Sequence, residues 1–277
     1  MDEHSSAGLY ANLRELLAID HDLGVQMISR PARADTAPAE RAAARPAPAP
    51  SGRGHPASAP ATPAQRPTSL PPGSDAHLAD LPTTGPAGER LARIAERIAT
   101  CDRCPLCTGR THTVPGEGEE QPQIMFIGEG PGADEDRQGR PFVGAAGRLL
   151  DKMIAAMGLR RDEVFIANII KCRPPGNRTP EPAEMAACLP YLERQVDALQ
   201  PAVICTLGNV PLRALTGDLR RGITRARGTR FTWRGITCLA TFHPSYLLRN
   251  PAGKKPAWED LQQVLRLIGR EPPARGG

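Results

Sequence analysis

Across residues 89–271 the spacing of hydrophobic positions switches repeatedly between two kinds of segment. Leu91 to Thr100 has helical spacing. Ile124-Met125-Phe126-Ile127 is a continuous apolar run stopped by glycine, which predicts a buried strand. Ala146, Leu149, Leu150, Met153, Ile154 and Met157 recur at intervals of three and four, one face of a helix that Gly158 ends. Val164 to Ile170 reads as a second strand, and Pro182 to Leu199 as a helix with proline at a tolerated early position. Val203 to Leu207 predicts a third strand, Pro211 to Leu215 a short helix, Ile236 to Ala240 a fourth strand and Trp258 to Ile268 a closing helix. The strands are apolar throughout, not on alternate residues. That pattern belongs to an α/β protein whose parallel sheet is covered on both faces. The expected architecture is a three-layer α/β/α sandwich around a central, mainly parallel four-stranded sheet. Ligands of such sheets bind beyond the carboxyl ends of the strands. The informative residues stand there: Gly128 to Gly132 after the first strand, Asn168 and Cys172 at the end of the second, and His243-Pro244-Ser245 after the fourth.

The rest of the chain has another character. Residues 30–88 are dominated by Pro, Ala, Ser and Gly, a composition that cannot bury enough surface to offset its ordering entropy, so a disordered linker is expected. Before it, residues 1–29 carry Leu9, Leu13, Leu16, Leu17 and Ile19 at roughly helical spacing, a short helix suited to docking a repair or replication protein. The remaining divisions are a globular domain over 89–271 and a tail over 272–277. The formal net charge of +5 suits a polyanionic partner. The start Met1-Asp2-Glu3-His4 lacks a basic-then-apolar leader, and no run of about 18 apolar residues predicts a membrane span. The expectation is a cytoplasmic, nucleoid-associated monomer.

Seven cysteines in a chain of this kind point to metal or redox chemistry more than to disulfides. Cys101-x-x-Cys104 lies about 70 residues before Cys172, which lies sixteen before Cys188. Thiolates at such spacings select zinc or an iron–sulfur cluster. The run Cys101-x-x-Cys104-x-x-Cys107 also resembles a ferredoxin run, so spacing alone leaves the ligand set open. Cys205 and Cys238 sit inside apolar strands and read as small buried hydrophobes. The loop Gly128-Glu129-Gly130-Pro131-Gly132 follows a strand, but alanine stands at 133, where the dinucleotide pattern needs glycine, and no Gly-Lys-Ser/Thr follows. The acidic stretch Asp134-Glu135-Asp136 would repel a pyrophosphate and suits orienting water or stabilising a cation.

Four segments stand in order: Gly128-Glu129-Gly130-Pro131-Gly132-x-x-Glu135-Asp136, Gly139-Arg140-Pro141-Phe142-Val143-Gly144, Asn168-x-x-Lys171-Cys172-Arg173-Pro174-Pro175, and His243-Pro244-Ser245-Tyr246-Leu247-Leu248-Arg249. Together they resemble the family 4, thermophile-type uracil-DNA glycosylases, from about Cys101 to about Gly269. The resemblance implies hydrolysis of the N-glycosidic bond of deoxyuridine in single- or double-stranded DNA, leaving an abasic site. It implies a structural [4Fe–4S] cluster held by Cys101, Cys104, Cys172 and Cys188, with Cys107 outside the ligand set.

The chemistry then distributes roles. A uracil must be turned out of the helix before it can be cut. By resemblance Phe142 stacks on its ring, and Asn168 accepts from N3–H and donates to O4. Gly128, Glu129 and Gly130 bring backbone to the base edge. His243 donates to O2 of the departing base in an oxocarbenium-like transition state. Glu129 is expected at the uracil edge and Glu135 as a stabiliser of water or cation. Arg140, Lys171, Arg173, Arg178 and Arg249 are expected on phosphates, and Tyr246, Leu247 and Leu248 as the wedge that fills the vacated stack. A related enzyme class that traps uracil through a histidine carries an extra basic loop after the second strand. Cys172 to Cys188 has no histidine, which excludes that reading. A non-catalytic iron–sulfur or zinc module that recruits a repair or replication protein is the alternative from another functional class.

Overall fold

The computed structural model describes residues 76–273. The expected N-terminal helix, residues 30–75 of the linker and all but two residues of the tail lie outside them; residues 76–88, expected to be linker, are described, and Leu78 and Leu81 there are buried in the domain core. The four apolar runs form strands: β2 (Ile124–Gly128), β3 (Phe165–Asn168), β4 (Val203–Leu207) and β6 (Ile236–Thr241). Every residue of β2, β3 and β4 is buried, which is why no polar alternation marks them. They pair in parallel in the order β3-β2-β4-β6, with Phe126 opposite Ile166 and Cys205.

The sheet has six strands, not four. β1 (Glu117–Gly118) pairs antiparallel with β3 at one edge, and β5 (Arg230–Trp233) pairs antiparallel with β6 at the other. Both are edge strands that face solvent in part. β1 is two residues long, and β5 alternates exposed and half-buried positions instead of forming an apolar run.

Helices cover the sheet. On one face α1 (Ala87–Ala99), α4 (Pro182–Leu199) and α5 (Asn209–Thr216) bring Ile94, Ile98, Leu192, Val196 and Val210 against Met125, Ile127, Ala167 and Ile204. Strand alternation turns Ile124, Phe126, Ile166, Cys205 and Leu239 to the opposite face. There α8 (Lys254–Leu267) packs on β4 and β6, with Trp258, Leu261, Val264 and Leu265 buried. Cys205 and Cys238 are fully buried strand residues, as expected. The remaining helices are α2 (Ala133–Gln138), α3 (Ala145–Ala156), α6 (Ile223–Ala226) and α7 (Pro244–Arg249). Three of these shape the site. α2 and α3 carry the loop after β2, and α7 begins directly after His243. Among the described residues no helix is long and apolar enough to cross a membrane.

Candidate active site

The loops at the carboxyl ends of β2, β3 and β6 enclose a cleft of about 290 Å³. Glu129, Phe142, Asn168, Arg178, His243 and Ser245 are among its walls. The chain turns back across the sheet between β2 and β4, the position where open α/β sheets bind ligands.

Asn168 ends β3 and is 1% exposed. Its Oδ1 is buried without a hydrogen-bond partner. Leaving such an acceptor unpaired costs about 1–3 kcal/mol, a cost that a ligand donor would remove. Gly128, across the β2–β3 pairing from Asn168, makes this placement possible. A Cβ there would stand 2.5 Å from both Asn168 Oδ1 and the Phe142 ring.

Phe142 closes another wall. Its φ of 50° lies in the left-handed region, where a bulky residue is held only by its surroundings. Those surroundings are specific. Arg161 donates to the carbonyl oxygens of Pro141 at 2.6 Å and of Phe142 at 3.3 Å. Arg161 is itself fixed by Glu117 and Asp151. Gly147 in α3 lets the Phe142 carbonyl approach, since a Cβ at 147 would lie 1.9 Å from that oxygen. Nothing in the local sequence pattern pointed to Arg161.

His243 lies in the third wall, its ring 5.6 Å from that of Phe142. Its Nδ1 accepts from the Ser245 backbone N–H at 3.1 Å and lies 2.8 Å from the Ser245 hydroxyl. An N–H aimed at Nδ1 makes that nitrogen the acceptor, so the neutral ring carries its proton on Nε2. Burial, reinforced by the charge of Arg249, pushes the pKa down to about 4, so the ring is neutral at physiological pH. The segment carrying His243 is braced from below. Thr241 Oγ1 donates to buried Asp260 at 2.7 Å, Arg227 pairs with the same carboxylate, and Arg227 lies over the Phe242 ring.

The two carboxylates differ. Glu135 Oε1 accepts from the N–H groups of Val143 and Gly144, each at 2.9 Å, and Oε2 accepts from Gly132 at 3.0 Å. It ties the start of α2 to the start of α3. The Glu129 carboxylate makes no hydrogen bond or ion pair among the described residues, and burial raises its pKa, with Arg213 opposing in part.

Two expected DNA contacts are corrected. Lys171 is 1% exposed, and its Nζ donates to the Asn168 carbonyl at 3.0 Å and to Gln195 Oε1 at 2.7 Å. Burial lowers its pKa to about 8. It is an internal tie that no phosphate can reach. Leu247 is 1% exposed and packs inward, because the helical period of α7 places it with Pro244 on the buried side. Tyr246 and Arg249 face solvent, Leu248 is half-buried, and Tyr246 stacks on Phe242 at 4.9 Å. Arg140 is exposed but held by Glu117, Arg173 by Asn177, and Arg178 by buried Glu184.

A second cavity lies where β3 runs out toward α4. Cys101, Cys104, Cys107, Cys172 and Cys188 all line it. Cys172 Sγ accepts from Arg110 Nη1 at 3.4 Å, and Cys188 Sγ accepts from the Lys171 backbone N–H at 3.3 Å. Burial raises the thiols of Cys104, Cys172 and Cys188, the last to about 12. Among the described residues no three His, Cys, Asp or Glu groups converge on a single point in the way one metal ion requires. Gln195 and Arg110, both missed from sequence, tie this cavity to its surroundings. Gln195 Nε2 donates to Pro115 at 2.7 Å, and Arg110 donates to the Cys101 carbonyl at 2.6 Å.

A sheet with its cleft at these strand ends fits a known superfamily. The profile of the uracil DNA glycosylase superfamily matches residues 115–262, more than half of the chain. The type-4 uracil-DNA glycosylase of Sulfurisphaera tokodaii is 44% identical over 187 residues, covering 65% of this chain and 85% of that protein. The type-4 enzyme of Thermotoga maritima is 43% identical over 186 residues, covering 66% and 97% respectively. A type-5 uracil-DNA glycosylase of Pyrobaculum aerophilum is 29% identical over 204 residues, covering 61% and 88%. The chain belongs to the type-4 uracil-DNA glycosylases. Its activity is hydrolysis of the N-glycosidic bond of deoxyuridine in DNA, a step of DNA repair.

Proposed function

We propose that the cleft holds a uracil turned out of the DNA stack, with Asn168, Phe142 and His243 as its recognition surfaces and Glu129 as the carboxylate that orients water. The unpaired buried oxygen of Asn168 carries this reading. It accepts the N3–H of uracil. Cytosine offers no hydrogen on N3, so the acceptor would stay unpaired and the wrong base is penalised. Phe142 supplies a flat apolar wall. His243 aims Nε2–H at O2 of the departing base, where negative charge develops, and a preorganised donor of this kind contributes about 2.7–4 kcal/mol. Backbone around Gly128, Glu129 and Gly130 lies along the same edge. Glu135 is better suited to bracing the loop than to touching water, because backbone N–H groups occupy both its oxygens.

The thiols suit a [4Fe–4S] cluster. Such a cluster binds each cysteine through a different iron, which fits five sulfurs spread around a cavity wall better than one ion would. Cys101, Cys104, Cys172 and Cys188 would hold it, cross-linking the domain's start to β3 and α4. Phosphate contacts fall to Arg249, Arg173, Arg178 and Arg140, the last two after exchanging their carboxylate partners. Such contacts make binding salt-sensitive. Tyr246 and Leu248 form the wedge. The N-terminal segment would dock a repair or replication protein, and the chain would act at the nucleoid as a monomer.

The deciding assay uses single- and double-stranded oligonucleotides with uracil opposite guanine or adenine. Uracil release by the unsubstituted chain, lost in Asn168→Ala with DNA binding retained, is the expected result. Loss of DNA binding in that variant would mean that Asn168 is structural. No release by the cluster-loaded chain would favour a recruitment module.

A further inference from the structure

A cubane cluster needs four thiolates, and this cavity presents five. The surplus sulfur belongs to Cys107. It sits in the 3-10 turn Pro105–Thr108, and its N–H donates to the Cys104 carbonyl at 3.2 Å. Cys104 is the extended residue that precedes this turn, and both it and Cys107 line the same cavity. Cys172 and Cys188 form the inner, buried wall, whereas Cys101, Cys104 and Cys107 are all partly exposed. The surplus therefore lies on the side where a ligand is open to solvent and to attack. Arg110 reinforces the geometry, donating both to the Cys101 carbonyl and to Cys172 Sγ and so holding the outer segment against the inner wall.

We propose that Cys107 is a reserve ligand, able to take the cluster position of Cys101 or Cys104 when either sulfur is lost or blocked. The inference rests on the cluster reading above. The exchange is redox-neutral. The iron–sulfur bond to the lost or blocked ligand is broken, one to Cys107 forms, and the proton of the Cys107 thiol passes to solvent. Tethering within the short segment from Cys101 to Cys107 gives Cys107 a high local concentration at the vacated iron.

The test is iron and acid-labile sulfide per chain after anaerobic reconstitution of the full-length protein. The unsubstituted chain and Cys107→Ser load fully. Cys101→Ser and Cys104→Ser each keep most of their iron, and adding Cys107→Ser to either empties the site. Alkylation labels Cys107 in the loaded unsubstituted protein and spares it in loaded Cys104→Ser. A single outer variant that loses as much iron as its double overturns the proposal, as does a Cys107→Ser chain that fails to load. An unsubstituted chain without iron and sulfide sinks the cluster reading itself. Should the outer variants fail to fold, iron loss to an excess of chelator decides. Loss several-fold faster from Cys107→Ser than from the unsubstituted protein supports the reserve role, and equal rates refute it.

Discussion

One stretch of backbone, residues 168–172, runs from the cleft to the thiol cavity, yet the two sites treat polar groups in opposite ways. In the cleft, Asn168 Oδ1 is left unpaired and the Glu129 carboxylate is without a partner among the described residues. Around the cavity several buried polar groups are paired. Lys171 satisfies Asn168 O and Gln195, Gln195 satisfies Pro115, and the sulfurs of Cys172 and Cys188 each accept an N–H. Unsatisfied groups cost stability, and one that faces a cleft is a candidate ligand contact. Saturated networks hold geometry. On the proposed function, the contrast would separate groups that act from groups that position.

Substitutions should divide along the same line. The largest expected loss is in the cleft: Asn168→Ala and His243→Ala each lower kcat/KM by about 10²–10³-fold, read in a uracil-release assay, while thermal melting shifts little. Lys171→Met should do the reverse. It strands the Asn168 carbonyl and Gln195 Oε1, each costing about 1–3 kcal/mol, so denaturant unfolding shows the loss and activity per folded molecule falls far less. Arg161→Ala lies between the two. It releases the backbone of Phe142, and a roughly 10²-fold loss in kcat/KM follows from misplacing a positioned wall, with Arg161→Lys recovering part of it. Equal losses in all these variants would erase the distinction. The smallest effect is in pH. His243 takes a proton only near pH 4 when folded, against 6.5 ordinarily. Between those values the unfolded chain binds more protons, so this contribution to stability is complete above 6.5 and declines as pH falls toward 4. His243→Gln should flatten that part of the stability curve.

Much of this organisation was legible in the sequence because burial on both faces writes itself as continuous apolar runs. β2, β4, β6 and the limits of α4 follow directly. The apolar run of β3 outlasts the strand, because Ile169 and Ile170 stay buried and still donate to the Gly128 and Glu129 carbonyls beyond its end. α2 was missed because Asp134, Glu135 and Asp136 look like a solvated loop, although acidic side chains suit a helix's first turn. The cleft's composition came from motifs whose glycines and amide have few other uses. What stayed hidden was direction. A lysine beside a cysteine motif reads as a phosphate contact until tertiary packing encloses it, and Leu247 reads as a wedge until the period of α7 is fixed. Gln195 left a usable trace: it is a polar residue on the stripe formed by Leu192, Val196 and Leu199.

The tautomer set by Ser245 has a chemical consequence. A neutral ring with its one N–H on Nε2 shares that hydrogen without surrendering it. On the proposed role of His243, uracil would depart as an anion and be reprotonated by solvent after leaving. The acidity of the expelled heterocycle, more than any acid supplied by the protein, would then set which bases can be released.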